Sequence, residues 1–144
     1  MIPDPAGLAA LHGQCFFDHP RPWSAAEFRA LLDSAPNFLL TERGGFLLGR
    51  CIADEAELLT LAVDPALRRQ GIARRLLARF AATSEERGAH LAHLEVAADN
   101  AAALRLYAGD GWEICGCRRN YYAPGRDAVL MRRVLTPGSD GQAC

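Results

Sequence analysis

A long amphipathic segment, bounded on both sides, constrains the fold of this chain more than any other feature of its sequence. Between residues 68 and 87, apolar side chains recur every four positions in two neighbouring rows, with arginines and glutamates on the opposite side. The rows are Ile72, Leu76 and Phe80, and Ala73, Leu77 and Ala81. This spacing predicts a helix with one apolar face. Gly88 stands where a helix-ending glycine is expected.

Apolar runs on both sides of this helix predict the strands against which it packs. Residues 57–63 form one run, which stops at Asp64-Pro65 because proline cannot continue a strand ladder. Residues 90–98 form the next run. Two antiparallel pairs are also predicted, residues 37–41 with 46–52 around Gly44-Gly45, and residues 112–122 with 127–135 around Pro124-Gly125.

Three shorter helices complete the pattern. The first covers residues 5–17 with Leu8, Leu11 and Cys15 on one face, the second opens at the capping box Ser24-Ala25-Ala26-Glu27 and carries Phe28, Leu31 and Leu32, and the third covers residues 100–108. This order predicts an α+β domain at residues 1–135, with a central mixed, mostly antiparallel sheet flanked by helices. Residues 136–144 are expected to be a flexible tail. Few residues precede the first helix, so we expect a strand before it to be missing or very short.

The charge balance excludes several classes of function. The chain has 16 cationic and 17 acidic residues, a formal net charge of −1, and every cation is an arginine. Without lysine there is no Schiff base and no P-loop lysine. Without a basic excess there is no field to attract nucleic acid or anionic lipid. No apolar run reaches the roughly 18–20 residues that span a bilayer, and the N-terminus shows no signal-peptide pattern.

The cysteines indicate a reducing compartment. They are Cys15, Cys51, Cys115, Cys117 and Cys144. Their number is odd and they contain no CxxC pair, so we expect free thiols in the cytoplasm rather than a disulfide framework. Cys115 and Cys117 alternate along a predicted strand and are expected to be small core or half-exposed residues. The histidines and cysteines show no ligand spacing, so no metal site is predicted.

The loop before the long helix has the composition of an anion site. It reads Arg68-Arg69-Gln70-Gly71-Ile72-Ala73-Arg74. A glycine and a small residue two positions apart let backbone N–H groups at a helix start approach an anion, and the arginines add bidentate donors. The sequence matches neither GxGxxG nor a P-loop. Taken alone, these residues leave open a solvated basic helix start.

Glu95 and Tyr107 are the candidates for proton transfer. A carboxylate inside an apolar strand is costly unless it faces a cleft or a partner, and a cleft would make Glu95 a candidate base. Tyr107 lies on the following helix and offers a phenol. A surface carboxylate at a strand end and a core tyrosine are the structural alternatives. His93 shares a strand face with Glu95 and is expected to be structural or solvent-facing.

Together these segments resemble the GNAT N-acetyltransferase superfamily, and more closely its RimI-type ribosomal-protein-alanine N-acetyltransferases. The matching motifs are Leu61-Ala62-Val63-Asp64-Pro65, Arg-Arg-Gln-Gly-Ile-Ala, Asn100, Leu106-Tyr107 and Gly111-Trp112 for the superfamily, and Pro22-Trp23-Ser24, Leu94-Glu95-Val96 and Arg118-Arg119-Asn120-Tyr121-Tyr122 for the RimI type. Ala73 departs from the pattern, since many relatives carry glycine there.

The resemblance implies acetyl-CoA as the acetyl donor and direct attack by an amine on its thioester. It implies that Leu61, Ala62 and Val63 present backbone to the acetyl and pantetheine groups, with the Val63 N–H facing the carbonyl oxygen. Asn100 would contact the pantetheine. The pyrophosphate would be held by Arg69, Gln70, Gly71, Ile72, Ala73 and Arg74. The resemblance also implies Glu95 as general base and Tyr107 as general acid.

On the acceptor side, the resemblance implies a peptide groove lined by Trp23, Asn120, Tyr121 and Tyr122. The N-terminal alanine of a small-subunit ribosomal protein is then the leading acceptor, and a monomer or weak dimer is expected. A hydrophobic plug at Trp23 and a strand end with half-buried tyrosines are the structural alternatives. Two other functions stay open: acetylation of a small amine such as a polyamine or aminoglycoside, and acyl-CoA binding without turnover.

Overall fold

The structure is a computed structural model that describes residues 4–15 and 22–135. Within these residues there are four helices, one 3-10 turn and six strands. They are α1 Pro5–Cys15, α2 Ala25–Leu32, β1 Asn37–Glu42, β2 Gly45–Ile52, β3 Glu55–Val63, the 3-10 turn Pro65–Leu67, α3 Ile72–Glu86, β4 Leu91–Ala97, α4 Ala101–Gly109, β5 Glu113–Ala123 and β6 Arg126–Val134. Residues 16 and 17 of the predicted first helix and the predicted tail at 136–144 lie outside the described ranges.

The six strands form one mixed sheet in the order β1-β2-β3-β4-β6-β5. Only the β3–β4 pair is parallel, and the other four pairs are antiparallel. The α+β prediction with a mostly antiparallel sheet is therefore confirmed.

Two apolar clusters hold the helices against the sheet. The larger one joins the apolar face of α3, at Leu76, Leu77 and Phe80, to strand residues such as Leu47 and Ala92. The smaller one joins α1 and α2 to the sheet through Leu8, Phe28, Phe46 and Ala62. The helix α2 begins as predicted, since the Ser24 side chain and the Glu27 side chain complete a reciprocal capping box.

The start of the long helix was predicted only approximately. The amphipathic segment was bounded at residue 68 and the loop before the helix was given as residues 68–74, whereas α3 begins at Ile72, the first residue of the apolar rows. Arg69 and Gly71 both have positive φ angles, 68° and 79°, and a left-handed backbone cannot continue a right-handed helix. Gly88 ends the helix as predicted, one residue after the C-cap Arg87 and with a φ of 92°.

The parallel strands β3 and β4 separate along their length. They pair from Glu55–Glu57 to Leu91–His93, and no pairing continues beyond Glu57. In the β2–β3 ladder, Gly49 pairs with Leu58 and Leu48 with Thr60, so Leu59 is an extra residue in a β-bulge. A bulge bends the strand that carries it. The carboxyl ends of β3 and β4 therefore diverge and leave a gap in the middle of the sheet.

Candidate active site

A cavity of about 500 Å³ opens where β3, α3 and α4 meet. Of the residues predicted from the sequence to bind the cofactor, Leu61, Ala62, Val63, Arg69, Gly71, Ile72, Ala73, Arg74 and Asn100 line it. Gln70 does not, and its carbonyl instead accepts a hydrogen bond from Arg75 Nη1 at 3.0 Å. Cys15, Leu67 and Arg68 also line the cavity.

The backbone of Val63 faces the gap in the sheet. The N–H of the next residue, Asp64, donates to the Gly44 carbonyl at 2.7 Å. Because hydrogen-bonded and non-hydrogen-bonded pairs alternate along antiparallel strands, the Val63–Gly45 pair is a non-bonded one. The N–H and C=O of Val63 therefore point away from β2. The thiol of Cys15 donates to that carbonyl at 3.3 Å from this side.

The N-terminus of α3 presents uncapped N–H groups to the same cavity. Its N-cap is Gly71, which supplies no side-chain hydrogen bond, so the first-turn N–H groups are available to an anion. Arg75 links the loop before α3 to β1: its Nη1 donates to the Gln70 carbonyl, and its Nε lies 3.0 Å from Glu42 Oε1. The hydrogen bond from Arg75, followed by that from Arg79, lowers the pKa of Glu42.

A second cavity, of about 350 Å³, adjoins the first. Four residues line both cavities: Leu61, Asn100, Ala103 and Tyr107. The second cavity also brings together Trp23, Glu95, Tyr121 and Tyr122, which the sequence places far apart. Among the predicted acceptor residues, Asn120 does not line it.

Glu95 is half-buried rather than enclosed in the core. Its neighbours Leu94 and Val96 point to the buried face, with 3% and 7% exposure, whereas the Glu95 side chain keeps 28% of its surface exposed. Among the described residues it forms an ion pair with Arg118, whose Nη2 lies 3.9 Å from Oε1. Glu95 therefore faces the cavity and reaches solvent, which is the position in which a carboxylate of an apolar strand avoids the cost of burial.

Two phenols of the second cavity are held in their protonated form. Burial, and secondarily the neighbouring Tyr122, raises the pKa of Tyr107 well above its ordinary value. Burial, then Glu95 and Tyr121, raises the pKa of Tyr122 to about 12. Both hydroxyls are therefore proton donors at neutral pH. The Tyr107 ring packs edge-on against Trp112, with centroids 6.1 Å apart.

The hairpin between β5 and β6 positions the two consecutive tyrosines. Asn120 has a φ of 53°, its N–H donates to Asp127 Oδ1 at 2.8 Å, and its Oδ1 accepts from the Gly125 N–H at 2.6 Å. Arg126 ties the hairpin to Asp99 at 2.6 Å. Asn120 therefore shapes the turn rather than the cavity wall.

The Trp23 wall is supported from below by His12, which sequence analysis did not select. The indole stacks on the His12 ring with centroids 5.0 Å apart. The backbone N–H of Trp23 donates to His12 Nδ1 at 3.1 Å. His12 Nε2 lies 3.0 Å from Thr60 Oγ1. Burial lowers the pKa of His12 to about 4, with a smaller opposing effect from Glu27.

Comparison with known proteins identifies the family of this chain. Residues 6–112 match the Acetyltransferase (GNAT) family. The chain belongs to this family. It is 41% identical over 120 residues to a [ribosomal protein bS18]-alanine N-acetyltransferase of Escherichia coli K12, covering 78% of this chain and 81% of the relative.

Two further relatives agree with this assignment. An N-alpha-acetyltransferase RimI of Mycobacterium tuberculosis is 40% identical over 140 residues, 90% of this chain and 86% of the relative. The crystal structure of the ribosomal-protein-S18-alanine N-acetyltransferase from Escherichia coli superposes with a TM-score of 0.77 at 33% identity, covering 94% of this chain and 92% of that one. The protein is an acetyl-CoA-dependent N-acetyltransferase, as the sequence motifs predicted.

The first cavity fits acetyl-CoA. A diphosphate requires backbone N–H donors and cationic side chains, and the uncapped start of α3 with Arg68, Arg69 and Arg74 provides both. An extended pantetheine requires a free strand edge, and β3 has one beyond Glu57. Within residues 4–15 and 22–135 no group of three His, Cys, Asp or Glu is placed to hold a metal, and no helix is long and apolar enough to cross a membrane.

Replacing Gly71 should weaken acetyl-CoA binding. The φ of 79° disfavours a side chain, and a Cβ would lie 3.2 Å from Arg75 Nη1. We expect the loop of Gly71→Ala to relax away from the left-handed conformation in the free enzyme. Binding must then restore that conformation at a cost of about 1–2 kcal/mol, which corresponds to a Kd about 5- to 30-fold higher. Isothermal titration calorimetry with acetyl-CoA measures this. Gly109→Ala is the matched control, because a Cβ there meets nothing within 4 Å; equal affinities for both variants would contradict the role of Gly71.

The remaining candidates lie away from the two cavities. Cys115 and Cys117 are exposed, so the expectation of core or half-exposed residues is wrong: they belong to β5, the edge strand of the sheet. His93 Nδ1 lies 3.6 Å from Glu55 Oε1, and 40% of its side chain is exposed, as expected for a solvent-facing histidine. His19 falls outside the described residues.

Proposed function

We propose that this N-acetyltransferase modifies the α-amino group of a protein N-terminus, and that the acceptor is the N-terminal alanine of a small-subunit ribosomal protein. The observation that carries the proposal is the junction of the two cavities at Leu61, Asn100, Ala103 and Tyr107. An amine in the second cavity is there adjacent to the thioester end of the first. The relatives at 41% and 40% identity are named a [ribosomal protein bS18]-alanine N-acetyltransferase and an N-alpha-acetyltransferase.

On the donor side, the chain binds and orients acetyl-CoA. The uncapped N–H groups at the start of α3, with Arg69 and Arg74, hold the diphosphate. The free edge of β3 and Asn100 align the pantetheine. When bound, acetyl-CoA supplies an activated acetyl thioester. The Val63 N–H, which points away from β2, donates to the carbonyl oxygen as negative charge develops on it.

On the acceptor side, Glu95 removes a proton from the amine. An α-ammonium group has a pKa of about 8, so a carboxylate at the cavity both attracts the charged form and accepts its proton, directly or through one water. The half-exposed position of Glu95 returns that proton to solvent. The amine nitrogen then forms the new bond to the acetyl carbon, and the carbon–sulfur bond breaks.

Tyr107 completes the transfer by donating a proton to the departing thiolate of CoA. Its hydroxyl is protonated at neutral pH, because burial raises its pKa. Tyr107 is one of the four residues that line both cavities, which is where the sulfur leaves as the amine enters. The nitrogen loses two protons in all: the first leaves the ammonium through Glu95 to solvent, and the second leaves the nitrogen after it has bonded to the acetyl carbon and restores, through water, the proton that Tyr107 gives to the thiolate.

The walls of the second cavity suit a peptide. Trp23, Tyr121 and Tyr122 all line it, and large aromatic rings pack against peptide backbone and side chains at low entropic cost. A second candidate function is acetylation of a small polycationic amine. It is favoured by Glu57, which lines the same cavity as Glu95 and gives the site a second carboxylate that sequence analysis did not identify.

A mixed acceptor panel tests the proposal. We expect release of CoA thiol from acetyl-CoA with a peptide that begins Ala-Arg-Tyr-Phe, and fragment masses that place the acetyl group on the α-amine. The comparison acceptors are the same peptide with a blocked N-terminus and an internal lysine, and the polyamines spermidine and putrescine. Turnover confined to polyamines would replace the proposal with the second candidate, and turnover of the blocked peptide would contradict α-amine selectivity.

A further inference from the structure

The buried imidazole of His12 joins three separate parts of the chain below the acceptor cavity. It is 1% exposed and lies on α1. Its Nδ1 accepts the backbone N–H of Trp23 from the segment before α2, at 3.1 Å, and its Nε2 lies 3.0 Å from the hydroxyl of Thr60 on β3. The ring therefore links α1 to both neighbouring elements at one point.

These two contacts determine the tautomer of the ring. A nitrogen that accepts an N–H bond carries no proton, so the proton resides on Nε2 and donates to Thr60 Oγ1. A proton on Nδ1 would place the N–H of the ring against the backbone N–H of Trp23, and this hydrogen bond would be lost. Glu27 of α2 raises the pKa of His12, but desolvation by burial outweighs it, so the pKa is lowered overall.

Both partners of His12 belong to the wall of the second cavity. Trp23 and Thr60 line it together with His12 itself. Thr60 directly follows Leu59, the extra residue of the bulge at which β3 bends away from β4. The Trp23 ring stacks on the imidazole at an interplanar angle of 18°. The separation between the indole and the bent strand is thus set by one ring with two hydrogen bonds.

None of these three residues lines the acetyl-CoA cavity. We infer that His12 is a positioning residue for the acceptor: it holds Trp23 and the bulge of β3 at a fixed separation and thereby sets the affinity for the acceptor, not for acetyl-CoA. This inference rests on the proposed function in so far as the second cavity is the acceptor site. It assigns no proton transfer to His12.

The test separates acceptor binding from donor binding. In His12→Phe the ring remains and both hydrogen bonds are lost, so we expect the KM for the acceptor to rise about 10-fold or more. The Kd for acetyl-CoA and the kcat should stay within about twofold of the parent, because the reacting groups are untouched. In His12→Asn the amide oxygen replaces Nδ1 as acceptor for the Trp23 N–H, so this variant should recover part of the loss.

A general loosening of α1 must be distinguished from this role. The helix also carries Cys15, which lines the acetyl-CoA cavity, so a destabilised α1 would weaken both substrates. Leu8→Ala is the matched control: Leu8 is 1% exposed on the same helix and bonds to neither Trp23 nor Thr60. If Leu8→Ala raises the acceptor KM as much as His12→Phe, or if His12→Phe weakens acetyl-CoA equally, the inference is wrong.

One measurement is independent of the acceptor. Nitrogen-15 NMR of the parent enzyme should show Nδ1 without a proton and Nε2 with one, and slow exchange of the Trp23 amide that is lost in His12→Phe. A proton on Nδ1 would overturn the inference even where alanine peptides are acetylated. If the parent acetylates a polyamine instead of a peptide, the proposed function fails. The role of His12 is then tested by comparing the KM for the polyamine between His12→Phe and the parent.

Discussion

Glu95→Gln should lower kcat by about 10²- to 10⁴-fold, the usual contribution of a positioned general base. Glutamine keeps the size and the hydrogen-bonding capacity of the side chain but cannot accept the ammonium proton. Glu95 is part of the second cavity and lines no part of the acetyl-CoA cavity. The Kd for acetyl-CoA should therefore be unchanged, which calorimetry checks alongside steady-state kinetics.

The pH dependence sharpens this prediction. Above a pH of about 8 a growing fraction of the acceptor is already a free amine, so the deficit of Glu95→Gln should shrink as the pH rises. Glu55→Gln is the matched control, because Glu55 is a carboxylate of β3 with 61% of its side chain exposed, outside both cavities. A Glu95→Gln enzyme with parental kcat at pH 7 would remove Glu95 from the mechanism.

Most elements of this fold could be predicted because their determinants are local. The capping box at Ser24 and Glu27, the proline after Val63 and the glycine after Arg87 each act within a few residues. The start of α3 is less sharply marked in the sequence. The apolar rows begin at Ile72, as α3 does, but the polar residues 68–71 before them could extend a helix, and only the positive φ angles of Arg69 and Gly71 show that they do not.

The site was predictable where it is built from motifs and not where it depends on long-range contacts. The residues at the end of β3 and the start of α3 are neighbours in sequence and line the cavity as expected. His12 and Thr60 are 48 residues apart, and nothing in the local sequence around either indicates the other. Glu57 was overlooked similarly, because only the sheet register places it near the acceptor cavity.

Edge position is another property that the sequence pattern does not contain. Alternation along β5 suggested one buried face, but the strand pairs with β6 alone and is exposed along most of its length. Which strand lies at the edge depends on the order β4-β6-β5, in which the last two strands are reversed relative to the chain. Edge position alone does not expose a side chain, since the other edge strand, β1, buries Phe38 and Leu40. The cysteines of β5 are exposed because neither face of this strand is buried over residues 113–121.

Tyr107→Phe should also lower kcat by about 10²- to 10⁴-fold, as expected for loss of a general acid. The ring packs against Trp112, and phenylalanine preserves that contact, so the fold and the Kd for acetyl-CoA should be retained. The buried hydroxyl is the only group removed. Because a phenol at this position is held protonated, its loss deprives the departing thiolate of a proton source that bulk water replaces slowly.

Tyr122→Phe is the comparison variant for Tyr107→Phe. The hydroxyl of Tyr122 is also protonated at neutral pH, and Tyr122 contributes to the raised pKa of Tyr107. Tyr122 lines the second cavity, where we propose that the acceptor binds. Tyr122→Phe should therefore raise the KM for the acceptor and change kcat much less than Tyr107→Phe does. Steady-state kinetics of both variants with the same acceptor separates the two roles. The reverse result, a large loss of kcat in Tyr122→Phe and parental kcat in Tyr107→Phe, would transfer the role of proton donor to Tyr122. Of the two tyrosines, Tyr107 lines both cavities and Tyr122 lines the second one alone, which is why we expect Tyr107 to be the donor.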